Sequence, residues 1–473
     1  MSLRALWWFL AISLPILASL IAKISTVDLA YQLRAGAEIM AMGRIPTTDT
    51  WTFTMAGQPW VDQQWAAQVI FRAVESVGGW VGLAASRAVL VGAIFGGTCL
   101  IGVRRGLDVR TAAVLSLLAF VVTAPALALR PQLLGMLCFV AVLLLVVDRR
   151  AHPGRLWLAP VIVAIWANIH GSFFLGPLVI GLAWLEDVHD RQPGAIRTLA
   201  VTVVTALAAC LTPSGPLVWL YAAGLTSNAS VTARVTEWQP TSIRDVPGLL
   251  FFASALAIVT LIARSGRRVP WPTLAWLGVF FVIGVYAQRG VAWWPIAAVT
   301  AIAGTLVPAF PARTRVETQT MRRLNALVAG VLVLAMFLAL PADRPAVPGA
   351  IVPADSVAPA PAGITASLRD LADPGAHVLN PQTWGSWFEY ALPQLEVAVD
   401  SRIEMFKPQV WDTYESIVSG QVGWERRMAA WGVTHVVVDA DQTAFRDRLV
   451  SAGWEVAYED EDGALLIRVR ETT

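Results

Sequence analysis

The sequence predicts a mainly α, polytopic membrane protein with about eleven transmembrane helices and a small α/β domain at its C-terminal end. Three observations predict it. Of 473 residues, 56% are hydrophobic and only 14% charged, far from the balance of a soluble globular chain. The apolar residues fall in blocks of roughly twenty, the length that crosses a bilayer core. Beyond residue 362 the blocks stop, and short β-branched runs alternate with amphipathic stretches.

The first block, 5–24, is longer than the apolar core of a secretory signal and is followed by further blocks, so it reads as an uncleaved first helix. The others lie at 81–103, 110–129, 131–148, 155–172, 173–188, 197–213, 246–263, 272–288, 291–309 and 324–341. Between 155 and 188 the only break is Asn168-Ile169-His170-Gly171-Ser172, which reads as a helical hairpin or as one long tilted helix. Residues 64–77 form a half-polar pattern suited to a helix at the membrane interface. Cys99, Cys138 and Cys210 all sit inside apolar blocks; their odd number and setting make them small core residues, not a disulfide framework or a zinc site. A net charge of +2 gives no footprint for nucleic acid. Lys23 and Lys407 are the only lysines, and this arginine bias with abundant alanine points to a GC-rich bacterial genome, where the formal sequon Asn228-Ala229-Ser230 has no weight.

Arginine placement sets the expected orientation. Alternate loops carry Arg104, Arg105 and Arg110, then Arg149, Arg150 and Arg155, then Arg191 and Arg197, then Arg264, Arg267 and Arg268, then Arg313, Arg315, Arg322 and Arg323. The intervening loops are much longer and poorer in arginine, so the N-terminus is expected in the cytoplasm of a bacterial cytoplasmic membrane. The same alternation divides 155–188 into two helices. The expected organisation is a membrane domain over 1–340, with a first outer loop at 25–64 and a second long outer loop at 214–245. A Pro/Ala/Val-rich linker over 341–362 leads to an extracytoplasmic α/β domain over 363–473. There, strands are expected at 377–380, 396–399 and 434–439, helices at 384–392, 411–418, 424–431 and 443–452, and a closing hairpin turning at Asp462-Gly463.

Ser25–Trp65 is the first long polar interval, and a loop of that length between packed elements usually has a task. It opens with Asp28 and a short amphipathic helix, with Leu29, Leu33, Ala37 and Met40 on one face, ending at Gly43. In the predicted topology, the outer side gathers Asp28, Asp49, Asp62, Arg130-Pro131-Gln132, Asn168, His170, Glu237-Trp238 and Gln288-Arg289. Polar groups massed at one membrane boundary mark a functional site. Each also has a plain reading. Asp28 reads equally as a helix N-cap. Asp49 and Asp62 read as solvated turn residues, Arg130 and Arg289 as snorkelling anchors, His170 as a hydrogen-bonded helix-end residue and Glu237 as a loop ion-pair partner.

Several of these residues together carry a resemblance. Asp28, Arg34, Gly36, Gly43, Pro46, Asp49, Thr54, Gly57, Trp60 and Trp65 resemble the first outer loop of a bacterial family of polytopic proteins. That family is related to the GT-C glycosyltransferases, the lipid-phosphate-sugar enzymes that include protein mannosyltransferases. Arg130-Pro131-Gln132, Asn168-Ile169-His170-Gly171, Glu237-Trp238, Trp384-Gly385-Ser386-Trp387 and Asp400-Ser401-Arg402 extend the likeness over nearly the whole chain. It implies a GT-C-like fold with Asp28 as catalytic base in the first outer loop. The loop lacks an adjacent acidic pair and an Asp-x-Asp, so no metal is assigned and no cofactor expected; a divalent ion would need a second acidic ligand.

The chemistry is coherent on its own terms. Displacing a polyprenyl phosphate from a sugar needs a base at the acceptor and cations at the leaving group. Asp28 fits the base, Arg289, Arg130 and Arg34 the phosphate, and His170, Glu237, Asp49 and Asp62 the positioning of substrate hydroxyls. The expected partners are the bilayer, a polyprenyl-phosphate sugar donor and an extracytoplasmic acceptor. Two further patterns have structural readings. Asp439-Ala440-Asp441 reads as a strand end and helix cap, and Asp400 with Arg402 as an intradomain salt bridge. A non-catalytic scaffold for envelope polysaccharide assembly is the competing function. A transporter ranks last, because no repeated halves are evident and Arg87 is the main charge within a span.

Overall fold

The computed structural model describes residues 1–227, 232, 234–266, 268–306, 317–340 and 357–468. Most of the expected linker, the sequon at 228–230, and Arg267, Arg313 and Arg315 lie outside the described residues. The chain divides into two compact units, Met1–Ala22 with Leu83–Leu340, and Lys23–Gly82 with Pro341–Thr473. The first outer loop, expected to belong to the membrane domain, is therefore grouped with the C-terminal segment.

Helices in the first part of the chain are α1 (Leu3–Ile21), α2 (Leu29–Met42), α3 (Trp65–Arg104), α4 (Val109–Thr123), α5 (Pro131–Asp148), α6 (Ala159–Ala167) and α7 (Leu175–His189). They continue as α8 (Ala195–Ala208), α9 (Leu217–Ser227), α10 (Val246–Ser265), α11 (Trp271–Tyr286), α12 (Trp294–Leu306) and α13 (Gln319–Leu338). Every apolar block holds a helix, and 155–188 is split into α6 and α7 at the expected break. Among the described residues, 7 helices are long and apolar enough to cross a membrane, by length and composition; those at Arg155–Ala167, Ala195–Ala208 and Trp271–Tyr286 are shorter. Residues 64–77 form a helix of their own, as expected: α3 joins two helices across a break at Gly79 (φ 55°, ψ −152°), a backbone conformation suited to glycine.

In the first unit, helix starts follow their sequence signals. The Asp108 carboxylate accepts from the amides of Arg110 and Thr111 at the head of α4, and Asp245 accepts from Gly248 at the head of α10. Phe139, Trp166, Phe280 and Trp293 form an aromatic centre, with ring centroids 5.3 to 6.4 Å apart. Arg87, the charge within a span, is 3% exposed and donates to the carbonyls of Ser19 and Ala22. It thus satisfies carbonyls at the end of α1, a structural role for an intramembrane charge.

In the second unit, α14 (Ala362–Leu371), α15 (Gln382–Ala391), α16 (Pro408–Val418), α17 (Trp424–Ala430) and α18 (Thr443–Ser451) surround a sheet. The strands are β3 (His377–Leu379), β4 (Glu396–Val397), β5 (His435–Asp439), β6 (Trp454–Glu459) and β7 (Gly463–Arg468), in the order β4-β3-β5-β7-β6. The first three run parallel, and β5-β7 and β7-β6 are antiparallel. The expected helices and strands are present; α14 was not foreseen. Two further strands, β1 (Ile24–Ser25) and β2 (Val357–Ala358), pair in parallel. The loop also covers the edge strand β4: Phe53 N donates to Val397 O, and Val397 N to Trp51 O. In α2 the buried face is Leu29, Ala30, Leu33, Ala35 and Ile39, while Met40 is exposed, because Gly36 and Gln32 lie against the start of α3 and turn the helix.

Candidate functional site

In the first unit the site is built around the head of α5. Pro131 occupies the first helical position, where its missing N–H costs nothing, and Arg130 before it is extended (φ −152°, ψ 167°). The Arg130 guanidinium grips Glu237 in a two-pronged pair, Nη2–Oε1 2.6 Å and Nη1–Oε2 3.0 Å. Glu237 sits in a 3-10 turn over Thr236–Trp238, and Arg289 in another over Gln288–Ala292. The turns are tied by Gln288 N donating to Gln239 O at 3.0 Å, and the Arg289 guanidinium lies 4.6 Å over the Trp238 ring. Burial opposes ionisation of Glu237, but the Arg130 and Arg289 charges outweigh it and hold the carboxyl below its usual range.

These groups line a cavity of about 230 Å3, whose walls include Thr123, Arg130, Gln132, Glu237, Gln288 and Arg289. Two arginines against one carboxylate leave it with a net positive charge. Thr123 and Gln132 are each 1% exposed. Among the described residues, the Thr123 hydroxyl and the Gln132 side-chain oxygen have no hydrogen-bond partner. Buried polar atoms left in that state ask for a polar occupant.

His170 does not line this cavity. Its Nδ1 accepts from the Ser172 amide at 3.1 Å and lies 2.7 Å from the Ser172 hydroxyl, capping the turn that starts α7. A Cβ on Gly135 would come within 2.7 Å of Trp166 Nε1, 3.2 Å of Ser172 Oγ and 3.5 Å of His170 Cβ. The glycine, one turn into α5, thus lets this corner close on the helix that carries Arg130. Asn168 Nδ2 donates to Ala164 O and Leu211 O, both at 2.9 Å.

The remaining sequence candidates belong to the second unit. Asp28 precedes α2, and its side chain makes no capping hydrogen bond, so the N-cap reading, one of the two open for it, is not met. Arg34 is engaged internally, donating to Glu389 O at 3.0 Å and Glu38 Oε1 at 3.2 Å. Asp49 is not a solvated turn residue but is wholly buried. It accepts from Thr52 N and Oγ1 and from Arg402 Nη2 at 2.8 Å. Arg402 also bonds Asp400 through the backbone amide and the guanidinium, and its charge lies 4.3 Å over Trp51 and 4.7 Å over Trp60. The expected Asp400–Arg402 pair is present, and Asp49 and Glu389 extend it. Burial and the Asp400 charge push Glu389 well above its usual range, while the carboxylates hold Arg402 above its own against the effect of burial.

Asp62 accepts from Gln68 Nε2 at 2.7 Å, but its Oδ2 is enclosed and, among the described residues, has no hydrogen-bond partner. Enclosure pushes its carboxyl up to about 7, against the opposing effects of Gln68 and Arg402. In the Asp439-Ala440-Asp441 segment, Asp439 ends β5 and accepts from the Asp441 amide; the residue before α18 is Gln442, so neither aspartate caps it.

Thus Arg130, Glu237 and Arg289 share one cavity, His170 packs behind its helix, and Asp49 and Arg34 are built into the interior of the other unit. Thr123 and Glu389 were missed. A threonine inside an apolar block and a glutamate inside an amphipathic helix carry no sequence signal of their own. Among the described residues, no three His, Cys, Asp or Glu side chains group to hold a metal ion.

No protein-family model and no curated protein matches the sequence. Solved structures do. The chain shares its fold with an archaeal oligosaccharyltransferase. AglB from Archaeoglobus fulgidus, in complex with an inhibitory peptide and a dolichol-phosphate, aligns at a TM-score of 0.59 and 14% identity over 93% of this chain and 70% of that one. The Archaeoglobus fulgidus oligosaccharyltransferase tethered to an acceptor peptide aligns at 0.59 and 13% over 99% and 74%. ArnT from Cupriavidus metallidurans, bound to undecaprenyl phosphate, aligns at 0.48 and 16% over 98% of both chains. At such identities the AglB likeness is one of fold, a mainly helical, GT-C-like membrane fold with a small C-terminal sheet region.

Proposed function

We propose that the chain is a glycosyltransferase of the bacterial cytoplasmic membrane, moving a sugar from a polyprenyl-phosphate carrier to an extracytoplasmic acceptor. The observation that carries this reading is the cavity at the head of α5, net positive and lined by the Arg130 and Arg289 guanidiniums and the Thr123 hydroxyl, which among the described residues has no hydrogen-bond partner. A phosphate anion matches that charge and can accept hydrogen bonds from the guanidiniums and the Thr123 hydroxyl. The dolichol-phosphate bound by AglB, a protein of the same fold, supports the same ligand chemistry.

In the proposed reaction, a base takes the proton of an acceptor hydroxyl as its oxygen attacks the anomeric carbon. The bond from that carbon to the phosphate oxygen breaks, and polyprenyl phosphate leaves as an anion. Arg289 and Arg130 take the developing charge, with Glu237 fixing the plane of Arg130. The Thr123 hydroxyl adds a hydrogen bond to the phosphate, the Gln132 oxygen can accept from a substrate hydroxyl, and His170 shapes the wall behind Gly135. The resemblance in the first outer loop assigns the base to Asp28. Asp62 is a carboxyl that can exchange a proton near neutrality; Asp49 and Arg34 are assigned to the interior of their unit.

The test is purified protein with radiolabelled polyprenyl-phosphate sugars. Arg289→Gln should lower transfer about 10²–10³-fold, and Asp28→Asn about 10²–10⁴-fold. Equal transfer by wild type and Asp28→Asn would remove Asp28 as the base. Failure to release polyprenyl phosphate from any donor would favour the scaffold.

A further inference from the structure

Helix α5 ends in a second basic site. Arg149 and Arg150 follow its last residue, about 27 Å from Arg130 for an 18-residue helix. A cavity of about 270 Å3 opens there, lined by Arg149, Arg150, Asp187, Gly194, Arg197 and Thr198 among others. Its one carboxylate is already saturated: Asp187 accepts from Arg149 Nε and Nη2, Arg150 Nε and Thr198 Oγ1, at 2.8 to 3.0 Å. Arg149 is 4% exposed, and all three of its guanidinium nitrogens are engaged, so it forms a rigid wall.

Arg150 uses Nε on Asp187 and Nη2 on Asp190. Arg197 is exposed, and among the described residues its guanidinium has no hydrogen bond or ion pair. Glu186 and Asp190, outside the lining, are paired with Arg149 and Arg150. With Arg105, which pairs with Glu186 at 3.5 Å, four arginines meet three carboxylates, and the charge left over is that of Arg197 at the mouth, where Gly194 begins the 14-residue α8 and adds the positive end of its dipole. Trp157, Leu158 and Ile196, chain neighbours of the lining residues Leu156 and Arg197, are exposed apolar side chains.

We propose that this cavity binds a phosphate-bearing anion, through Arg197, Arg150 and the first turn of α8, at the opposite end of α5 from the Arg130 cavity. The phosphate comes from an anionic phospholipid headgroup or from a soluble phosphate. Basic pockets between membrane helices suit the first, and the exposed apolar side chains give acyl chains a surface. The site does not depend on the transferase reading.

The experiment measures binding of short-chain phosphatidylglycerol, phosphatidylcholine and inorganic phosphate to the delipidated full chain in detergent, by native mass spectrometry. Phosphatidylglycerol should bind about tenfold tighter than phosphatidylcholine, and Arg197→Gln should erase that margin, the scale of one charge-assisted hydrogen bond. Arg197→Lys should restore most of it, and Arg323→Gln, an exposed arginine on α13, should leave it intact. Arginine-dependent binding of inorganic phosphate without a lipid preference would support the anion site and assign it to a soluble ligand. Neither ligand responding to Arg197→Gln, or Arg323→Gln weakening binding equally, would overturn the proposal.

Discussion

Arg402 shows how much of the second unit rests on one side chain. It is 1% exposed, lies against two tryptophan faces and bonds carboxylates from both ends of the sequence. Removing it leaves Asp49 and Asp400 charged, buried and without their cation, so Arg402→Met should cost about 3–5 kcal/mol in denaturant unfolding. Glu389→Gln should cost much less than Arg402→Met, because burial and the Asp400 charge oppose ionisation of that carboxyl and an amide has nearly the same shape. An equal loss in both variants would show Glu389 to be an essential anion. Asp62 gives a pH signature. Its carboxyl rises from the ordinary 3.8 to about 7, so the folded state holds the proton more tightly than the unfolded chain. The stability this contributes is fully present below about 3.8 and is lost as pH rises through about 7. Asp62→Asn should flatten that part of the stability–pH curve; an unchanged slope would mean that Asp62 ionises normally. The burial of Asp49 was not legible, since its partner lies 353 residues further on. Next to turn-forming sequence, an aspartate reads as solvated until the arginine that reaches it is known.

At the scale of elements, α5 was the most legible part of the site. A Pro at its first position, arginines outside both ends and an unbroken apolar run predicted its bounds almost to the residue. What the helix packs against was not legible. Gly135 reads as a weak spot in a helix, yet a side chain there would strike the Trp166–Ser172–His170 corner. Gly135→Ala should therefore lower stability by about 1–3 kcal/mol, while Gly330→Ala in α13, where a Cβ meets nothing within 4 Å, should be neutral or slightly stabilising. Thermal unfolding in detergent separates the two; equal midpoints would mean that the corner can move aside. Turns of 3-10 helix before α6, α7 and α12 take up residues that hydropathy alone counts into the span.

At the scale of the molecule, the grouping of the first loop with the C-terminal segment was not anticipated. β1 pairs with β2, the 51–53 segment covers β4, and Asp49, Trp51 and Trp60 enclose Arg402. A fragment spanning residues 357–468 alone should therefore lack cooperative unfolding, with a bare β4 edge and an Arg402 stripped of Asp49, Trp51 and Trp60. The same fragment joined to residues 23–82 should regain it, as read by circular dichroism on heating. A well-folded fragment without the loop would mean that the sheet has a sufficient core of its own.

The sequence by itself determined that this is a membrane protein of many helices, where most of them lie, and that a small α/β segment closes the chain. Those properties follow from local patterns, namely runs of apolar residues, periodicity, proline and capping residues, which act over one or two turns. It also marked Arg130, Glu237 and Arg289 as candidates. Only the tertiary structure decided that these three share a cavity, that His170 stands behind it and that Asp49 lies in an interior. Charge pairing and burial depend on which distant side chains meet, and no local pattern carries that information.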